Sequence, residues 1–212
     1  MTTEYKVAVI GGTGKSGQFV VLHLLKEGIP VKMLLRNPEN FQLKSPLIEI
    51  IRGDARDPRA VYSLAEGCEA VISTLGQPKN EPPIFSDSTR NVIAAMNFFR
   101  ISRYIVITGI NVDTPQDKKT GYTETATEWM KNNYPKTTAD KQTEYELLVS
   151  SALDWTLVRL PFIDLAGQKC ELKISLEDCM GEKVSATSLA EFLSCQLKDK
   201  TYFKQAPFIA NG

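Results

Sequence analysis

Histidine is almost missing from this chain: His23 is the only one among 212 residues. It lies inside a helical pattern, Val21-Leu22-His23-Leu24-Leu25, and reads as a packing or surface residue. No histidine is then left to act as a catalytic base. Cysteine is scarce as well. Cys68, Cys170, Cys179 and Cys195 contain no Cys-x-x-Cys pair, so a zinc site of ordinary spacing is excluded. They read as small buried or half-buried thiols in a reducing compartment. Neither sign of charge is in excess, with 25 Lys plus Arg against 25 Asp plus Glu. No basic stripe with interleaved aromatics is present either, which argues against a nucleic-acid surface. No apolar run reaches membrane-spanning length, and Met1-Thr2-Thr3-Glu4-Tyr5-Lys6 lacks the charged-then-apolar layout of a secretion signal. A cytoplasmic chain that binds neither nucleic acid nor membrane is expected. Repeats, low-complexity tracts and interdomain linkers are absent too. With 42% hydrophobic and 24% charged residues, the composition fits one globular domain over 1–212, large enough to bury its own core.

What the chain does have is a short apolar run, Val7-Ala8-Val9-Ile10, that breaks into Gly11-Gly12-Thr13-Gly14-Lys15-Ser16-Gly17. An amphipathic stretch containing Phe19, Val20, Leu22, Leu24 and Leu25 follows at once. Strand, glycine turn and helix in that order form the context of a dinucleotide site. The glycines allow a tight turn and close backbone approach to a pyrophosphate, and the helix N-terminus supplies free N–H groups. Gly14-Lys15-Ser16 also resembles the end of an NTPase phosphate loop, but Val9 stands where that motif requires its first glycine. An ordinary tight strand–helix turn is the remaining alternative.

Further along, apolar runs and helical periods alternate. Strands are expected at Lys6–Ile10, Val31–Leu35, Leu47–Arg52, Ala70–Thr74, Tyr104–Thr108 and Thr156–Leu160. Helices are expected at Ser16–Glu27, Arg59–Ala65, Asp87–Phe99, Thr137–Ser151 and Ser188–Leu197, with Gly28 closing the first. Pro207–Ala210 reads as a last strand. Asn111–Pro135 is long for a connection and carries Tyr122, Trp129 and Tyr134; Thr123–Lys131 within it fits a short helix. Continuous Val/Ile/Leu strands between helices predict an α/β, Rossmann-type doubly wound parallel sheet. Ligands then bind at the carboxyl ends of the strands, where strand order reverses.

That rule selects the site residues. Gly11, Thr13, Gly14, Lys15, Ser16 and Gly17 form the turn. Arg36 ends the second strand, where an acidic residue would suit NAD and an arginine suits the 2′-phosphate of NADP. NADP(H) over NAD(H) is the expectation; a solvated surface arginine is the alternative. Asp54 and Ala55 follow the third strand, where a carboxylate can meet an adenine amine or simply make a turn. Thr74, Leu75 and Gly76 close the fourth strand on the nicotinamide side.

The glycine turn, Arg36, Gly53-Asp54, Ser73-Thr74-Leu75-Gly76, Asn91-Val92-Ile93-Ala94-Ala95-Met96 and Leu153-Asp154-Trp155-Thr156-Leu157-Val158-Arg159 resemble the atypical short-chain dehydrogenase/reductase family. Within it the chain is similar to the NAD(P)-binding NmrA-like branch and to the biliverdin-IXβ/flavin reductases, from about Lys6 to Ile163. The resemblance implies a cofactor contact from Pro161, Phe162 and Ile163, and a small substrate-side part over about 164–212. It also asks for a Tyr-x-x-x-Lys dyad, and none of the seven tyrosines has a lysine four residues on. Lys141 matches the helix lysine of the relatives, but Thr137 stands at the tyrosine's position. Lys141 either faces the cofactor ribose or pairs with Glu144 on the surface. Against the biliverdin/flavin reductases, Gly109 replaces a serine and Phe162 a histidine. Neither change prevents reduction of a flavin, which solvent protonates.

Thr108 and Lys141 are thus the catalytic candidates, and Asn111, Tyr122, Trp129 and Phe162 the acceptor pocket. An NADPH-dependent reductase of a flavin, quinone-like or other conjugated small molecule is expected, working mainly by positioning. The competing readings are a non-catalytic NADP(H)-binding redox sensor acting on a protein partner, and a nucleotide-sugar epimerase or dehydratase. The missing dyad favours the sensor and counts against the epimerase.

Overall fold

The computed structural model describes residues 5–166 and 168–212. The chain runs β1 (Val7–Ile10), α1 (Gly17–Lys26), β2 (Val31–Leu35), a 3-10 turn (Pro38–Asn40), β3 (Ile48–Arg52), α2 (Pro58–Ala65) and β4 (Ala70–Ser73). It continues through α3 (Phe85–Phe99), β5 (Arg103–Gly109), α4 (Gly121–Asn133), α5 (Pro135–Val149), β6 (Asp154–Leu160) and β7 (Phe162–Asp164). β8 (Leu172–Ser175), β9 (Lys183–Ser185), α6 (Ala186–Cys195) and β10 (Phe208–Asn211) complete it.

Eight strands form the main sheet in the order β3-β2-β1-β4-β5-β6-β10-β8. From β3 to β10 neighbours run parallel; β8 is antiparallel to β10. The Rossmann-type α/β expectation holds. β1, β2 and β4 are buried along their whole length, because helices cover both faces and each strand can be apolar on both. Ala8, Ile10, Val71, Val106 and Leu157 pack on one side, Val9, Met33, Ile72, Ile105 and Val158 on the other. The chain runs outward from β1 to β3, then returns to β4 on the other flank of β1. Strand order therefore reverses between β1 and β4, above which the glycine turn sits.

Three strands were not expected. β7 and β9 make a separate two-stranded parallel sheet, and β8 borders β10. All are three or four residues long, and β7 and β8 have none of the fully buried apolar pattern that identifies the interior strands. After β7, the short strands β8 and β10 extend the main sheet, while α6 packs on α1. Cys68 and Cys179 are buried, whereas Cys170 and Cys195 are exposed.

The long connection after β5 is pinned from below. Arg159, on β6 and fully buried, donates through Nε to Ala206 O (2.8 Å) and through Nη2 to Leu176 O (3.1 Å). Its Nη1 meets Val112 O (3.3 Å) and the Asp117 carboxylate (2.5 Å), and the guanidinium lies 3.5 Å from the Phe208 ring centroid. Lys119 adds a second cation 3.4 Å from Asp117 Oδ2. A buried guanidinium is tolerated because nearly every N–H finds an acceptor and one carboxylate balances its charge.

Candidate functional site

After Ile10 the chain enters the left-handed region at Gly11 (φ +78°), where a side chain is strained. A Cβ at Gly11 would lie 2.7 Å from the backbone carbonyl of Thr74, and one at Gly12 2.7 Å from Met33 Cε. At Gly17 it would lie 2.1 Å from Gly11 O and 2.6 Å from Thr74 Oγ1. Three glycines thus answer three separate contacts: the end of β4, the core beneath, and the carbonyl of the turn itself. The N–H of Gly14 closes the turn on Gly11 O (2.9 Å). The Thr74 hydroxyl and N–H both donate to Ile10 O (3.1 and 2.9 Å), tying β4 under it.

Ser16 stands at the N-cap of α1, but its side chain accepts no hydrogen bond from the helix. Asp57 and Ser185 do cap α2 and α6. No side chain caps the head of α1; the Gln18 and Phe19 N–H groups turn back on Gly14 O and Ser16 O (3.1 Å each), and the positive dipole end lies beside the glycine cradle, which suits a phosphate.

The turn opens into a cleft of about 530 Å³. Gly11, Thr13 and Gly14 line it from β1, Arg36 from β2, Asp54 and Ala55 from β3, and Thr74, Leu75 and Gly76 from β4. Four strand ends meet there, so these sequence-selected residues share one wall system. Lys15, Ser16 and Gly17 are outside that lining: Lys15 is exposed, while Ser16 and Gly17 are buried beneath the turn. Asn40 and Phe41 also line the cleft and were missed. Their signal is Pro38, which starts the 3-10 turn that folds them back over β2.

Asp54 is partly committed, since its Oδ1 accepts from the N–H of Arg56 (2.8 Å) in a side-chain turn. Ala55 is held by Asn91 of α3, whose Nδ2 donates to its carbonyl (3.0 Å). Arg36 is not free either. Its Nη1 pairs with Glu81 Oε1 at 2.9 Å.

One strand further, the end of β5 carries unsatisfied polar groups. Thr108 Oγ1 and Asn111 Nδ2 are buried with no hydrogen-bond partner among the described residues. A Cβ at Gly109 would meet Asn111 Oδ1 at 2.4 Å and Lys141 Nζ at 3.6 Å, so the glycine leaves room for both polar side chains. The Lys141 ammonium lies 4.8 Å from the Phe85 ring centroid. Glu144 is buried, so its interaction with Lys141 lies in the interior and not on the surface. Beneath them, Thr89 Oγ1 donates to Glu144 Oε1 (2.8 Å) and stands 3.2 Å from the Tyr104 hydroxyl.

Burial pushes the Glu144 carboxyl up to about 7, against the Thr89 hydrogen bond and the Lys141 charge, and pushes Lys141 down. Between the ordinary carboxylate range and about pH 7 the folded chain keeps a proton that the unfolded chain has lost. Stability therefore falls as pH rises through that window and stays lower above it. Glu144→Gln should accordingly gain stability relative to wild type between pH 4 and pH 8 in paired denaturant titrations. An identical difference at both pH values would contradict the assignment.

The residues expected to line an acceptor pocket are scattered. Asn111 is buried beside Gly109, but Tyr122, Trp129 and Phe162 are 40%, 54% and 71% exposed. Trp129 packs edge-on with Tyr134, ring centroids 5.6 Å apart, on the outer face of α4. β7 pairing with β9 carries Phe162 outward, while Pro161 is buried and Ile163 packs into the core. Asn111, Tyr122, Trp129, Pro161, Phe162 and Ile163 all lie outside the cleft lining.

The model of a family described as NAD(P)H-binding matches residues 11–200. Anthocyanidin reductase of Arabidopsis thaliana is 32% identical over 92 residues, which are 39% of this chain and 27% of that protein. This chain's match thus spans little more than a quarter of that relative's length. A short-chain dehydrogenase/reductase of Veillonella parvula, solved in complex with NADP, superposes with a TM-score of 0.79 at 14% identity, covering 98% of this chain and 94% of that one. ChuY, an anaerobillin reductase from Escherichia coli, gives 0.76 at 18%, covering 97% of each. At these identities the two structures establish the fold. Among the described residues no helix is long and apolar enough to cross a membrane.

Proposed function

Because the chain belongs to the NAD(P)H-binding family, we propose that it is an NADPH-dependent reductase of a flavin, quinone-like or other conjugated small molecule. The observation that carries this reading is the pair of buried, unpartnered groups on Thr108 and Asn111 beside Lys141. Buried polar atoms are normally satisfied, and a cluster of orphans at a strand's carboxyl end is what a polar ligand would complete. The glycine cradle and uncapped head of α1 would hold the pyrophosphate, and Arg36 the 2′-phosphate. Bound there, the reduced nicotinamide supplies a hydride. Thr108 and Asn111 would orient the carboxamide or the acceptor by hydrogen bonds, and Lys141 would hold a cationic proton donor beside them. The relatives named as reductases support the class of reaction.

No phenol in the dyad arrangement supplies a proton. Tyr104 is fully buried, bonded to Thr89, and burial pushes its hydroxyl above the ordinary tyrosine value. Catalysis then rests on positioning two conjugated systems within reach of each other. Lys141→Met should lower kcat no more than about tenfold with a flavin, which water protonates, but about 100-fold with an acceptor whose reduced anion must be protonated in place. Equal rates for mutant and wild type with every acceptor would remove Lys141 from the chemistry. The reading as a whole is tested by following NADPH oxidation with FMN, riboflavin, quinones and biliverdin. Tight binding of NADPH without turnover of any acceptor would leave the sensor instead.

A further inference from the structure

Two arginines converge on one carboxylate at the rim of the cleft. Arg36 Nη1 lies 2.9 Å from Glu81 Oε1, and Arg56 Nη1 lies 2.8 Å from Glu81 Oε2. Arg56 also donates through Nη2 to Pro82 O (3.0 Å) and stands 3.7 Å from Asp54 Oδ2. Arg36 follows β2, Arg56 follows β3, and Glu81 belongs to the connection between β4 and α3. With β2 and β4 on opposite flanks of β1, the Arg36–Glu81 pair spans the carboxyl end of β1, above the glycine turn.

The loop that carries Glu81 is braced to hold it there. Gln77 donates through Nε2 to the carbonyls of Pro78 (3.1 Å), Glu81 (2.9 Å) and Pro82 (3.4 Å). Gln77 and Pro78 themselves line the cleft, so the latch and the cavity share a wall. As a stability device the arrangement is weak, because exposed ion pairs contribute little. As a binding device it is specific: two guanidinium groups are already spaced so that the two oxygens of one anion bridge them.

We infer that Glu81 is a built-in surrogate for the cofactor's 2′-phosphate, and that Arg56 is the second arm of the site that selects NADP(H). This rests on the reading of Arg36 given above. The balance of charge favours exchange. Arg36, Arg56, Glu81 and Asp54 together sum to zero, and a phosphate monoester carries a larger negative charge than a carboxylate. Both arginines would keep a partner, and the displaced Glu81, whose side chain is already 36% exposed, returns to water. A cofactor without the 2′-phosphate brings no anion to exchange and leaves the latch closed across its adenosine half. The motif identifies Arg36 only; Arg56 becomes visible once the fold sets the β3 loop beside it.

The test is calorimetric binding of 2′,5′-ADP, 5′-AMP, NADP⁺ and NAD⁺ to wild type, Glu81→Gln and Arg56→Ala. Glu81→Gln should bind 2′,5′-ADP and NADP⁺ about 3–10-fold more tightly and 5′-AMP unchanged. Arg56→Ala should lose about tenfold for the same two ligands only. If wild type prefers the 2′-phosphorylated ligands but neither substitution alters that preference, the latch is overturned while the role of Arg36 stands. If wild type shows no preference, both fall. Measuring 5′-AMP affinity on each variant separates a lost contact from a collapsed cleft.

Discussion

Gly17→Ala should abolish measurable NADPH binding, raising Kd at least about 100-fold, which is roughly 2.7 kcal/mol. The new methyl would sit 2.1 Å from Gly11 O and 2.6 Å from Thr74 Oγ1. Both are firmly held: Gly11 O accepts from Gly14 N–H, and Thr74 is bonded twice to Ile10 O. The contact is relieved only by lifting the turn or unseating α1, and overpacking of this kind costs about 1–3 kcal/mol or more. Gly28→Ala is the matched control. Gly28 also has a positive φ, +70°, but a Cβ there meets nothing within 4 Å, so backbone strain of about 1 kcal/mol is the whole effect. It should leave NADPH affinity unchanged. Titration of both variants by NADPH fluorescence decides the matter; retained binding in Gly17→Ala would show that the turn is not the pyrophosphate site.

The second large effect lies away from the cleft. Asp117→Ala should destabilise the protein by about 3–5 kcal/mol, because it leaves Arg159 buried and unbalanced. Arg159 has no exposed surface and cannot turn to water, and Lys119, 3.4 Å from the same carboxylate, also loses a partner. Replacing both members with apolar side chains, Arg159→Met with Asp117→Leu, should cost less than Asp117→Ala alone. Urea titrations of the single and double variants measure this directly. A loss below about 1 kcal/mol for Asp117→Ala would mean that the carbonyl bonds to Ala206, Val112 and Leu176 suffice without the charge. The same pair joins β6 to the loop after β5, so its loss loosens that connection as well.

The interior strands were legible in the sequence because each is a continuous apolar run between helical periods. β1, β2 and β4 are buried throughout, and a strand with both faces covered leaves that mark. β7, β8 and β9 leave none, being three or four residues long and partly exposed. Helix ends shifted by two residues where proline sets them: Pro135 starts α5, ahead of the expected Thr137. At the site, the glycine motif announces the cradle because steric need is local to those positions. Lys141 and Thr108 were found by matching positions, but the isolation of Thr108 and the burial of Glu144 depend on packing across β5, α3 and α5. The three aromatic candidates for the acceptor pocket lie outside the cleft lining. Tyr122 and Trp129 were selected from the long segment after β5 and Phe162 from its position after Pro161, and neither says which face of α4 or β7 a ring will occupy.

The measurement that tests the account most directly is a side-by-side equilibrium titration of the wild-type protein with NADPH and NADH. The glycine cradle, Arg36 at the end of β2 and Arg56 behind it predict that NADPH binds at least about tenfold more tightly, a preference of about 1.4 kcal/mol. Equal affinities, or tighter binding of NADH, would contradict it.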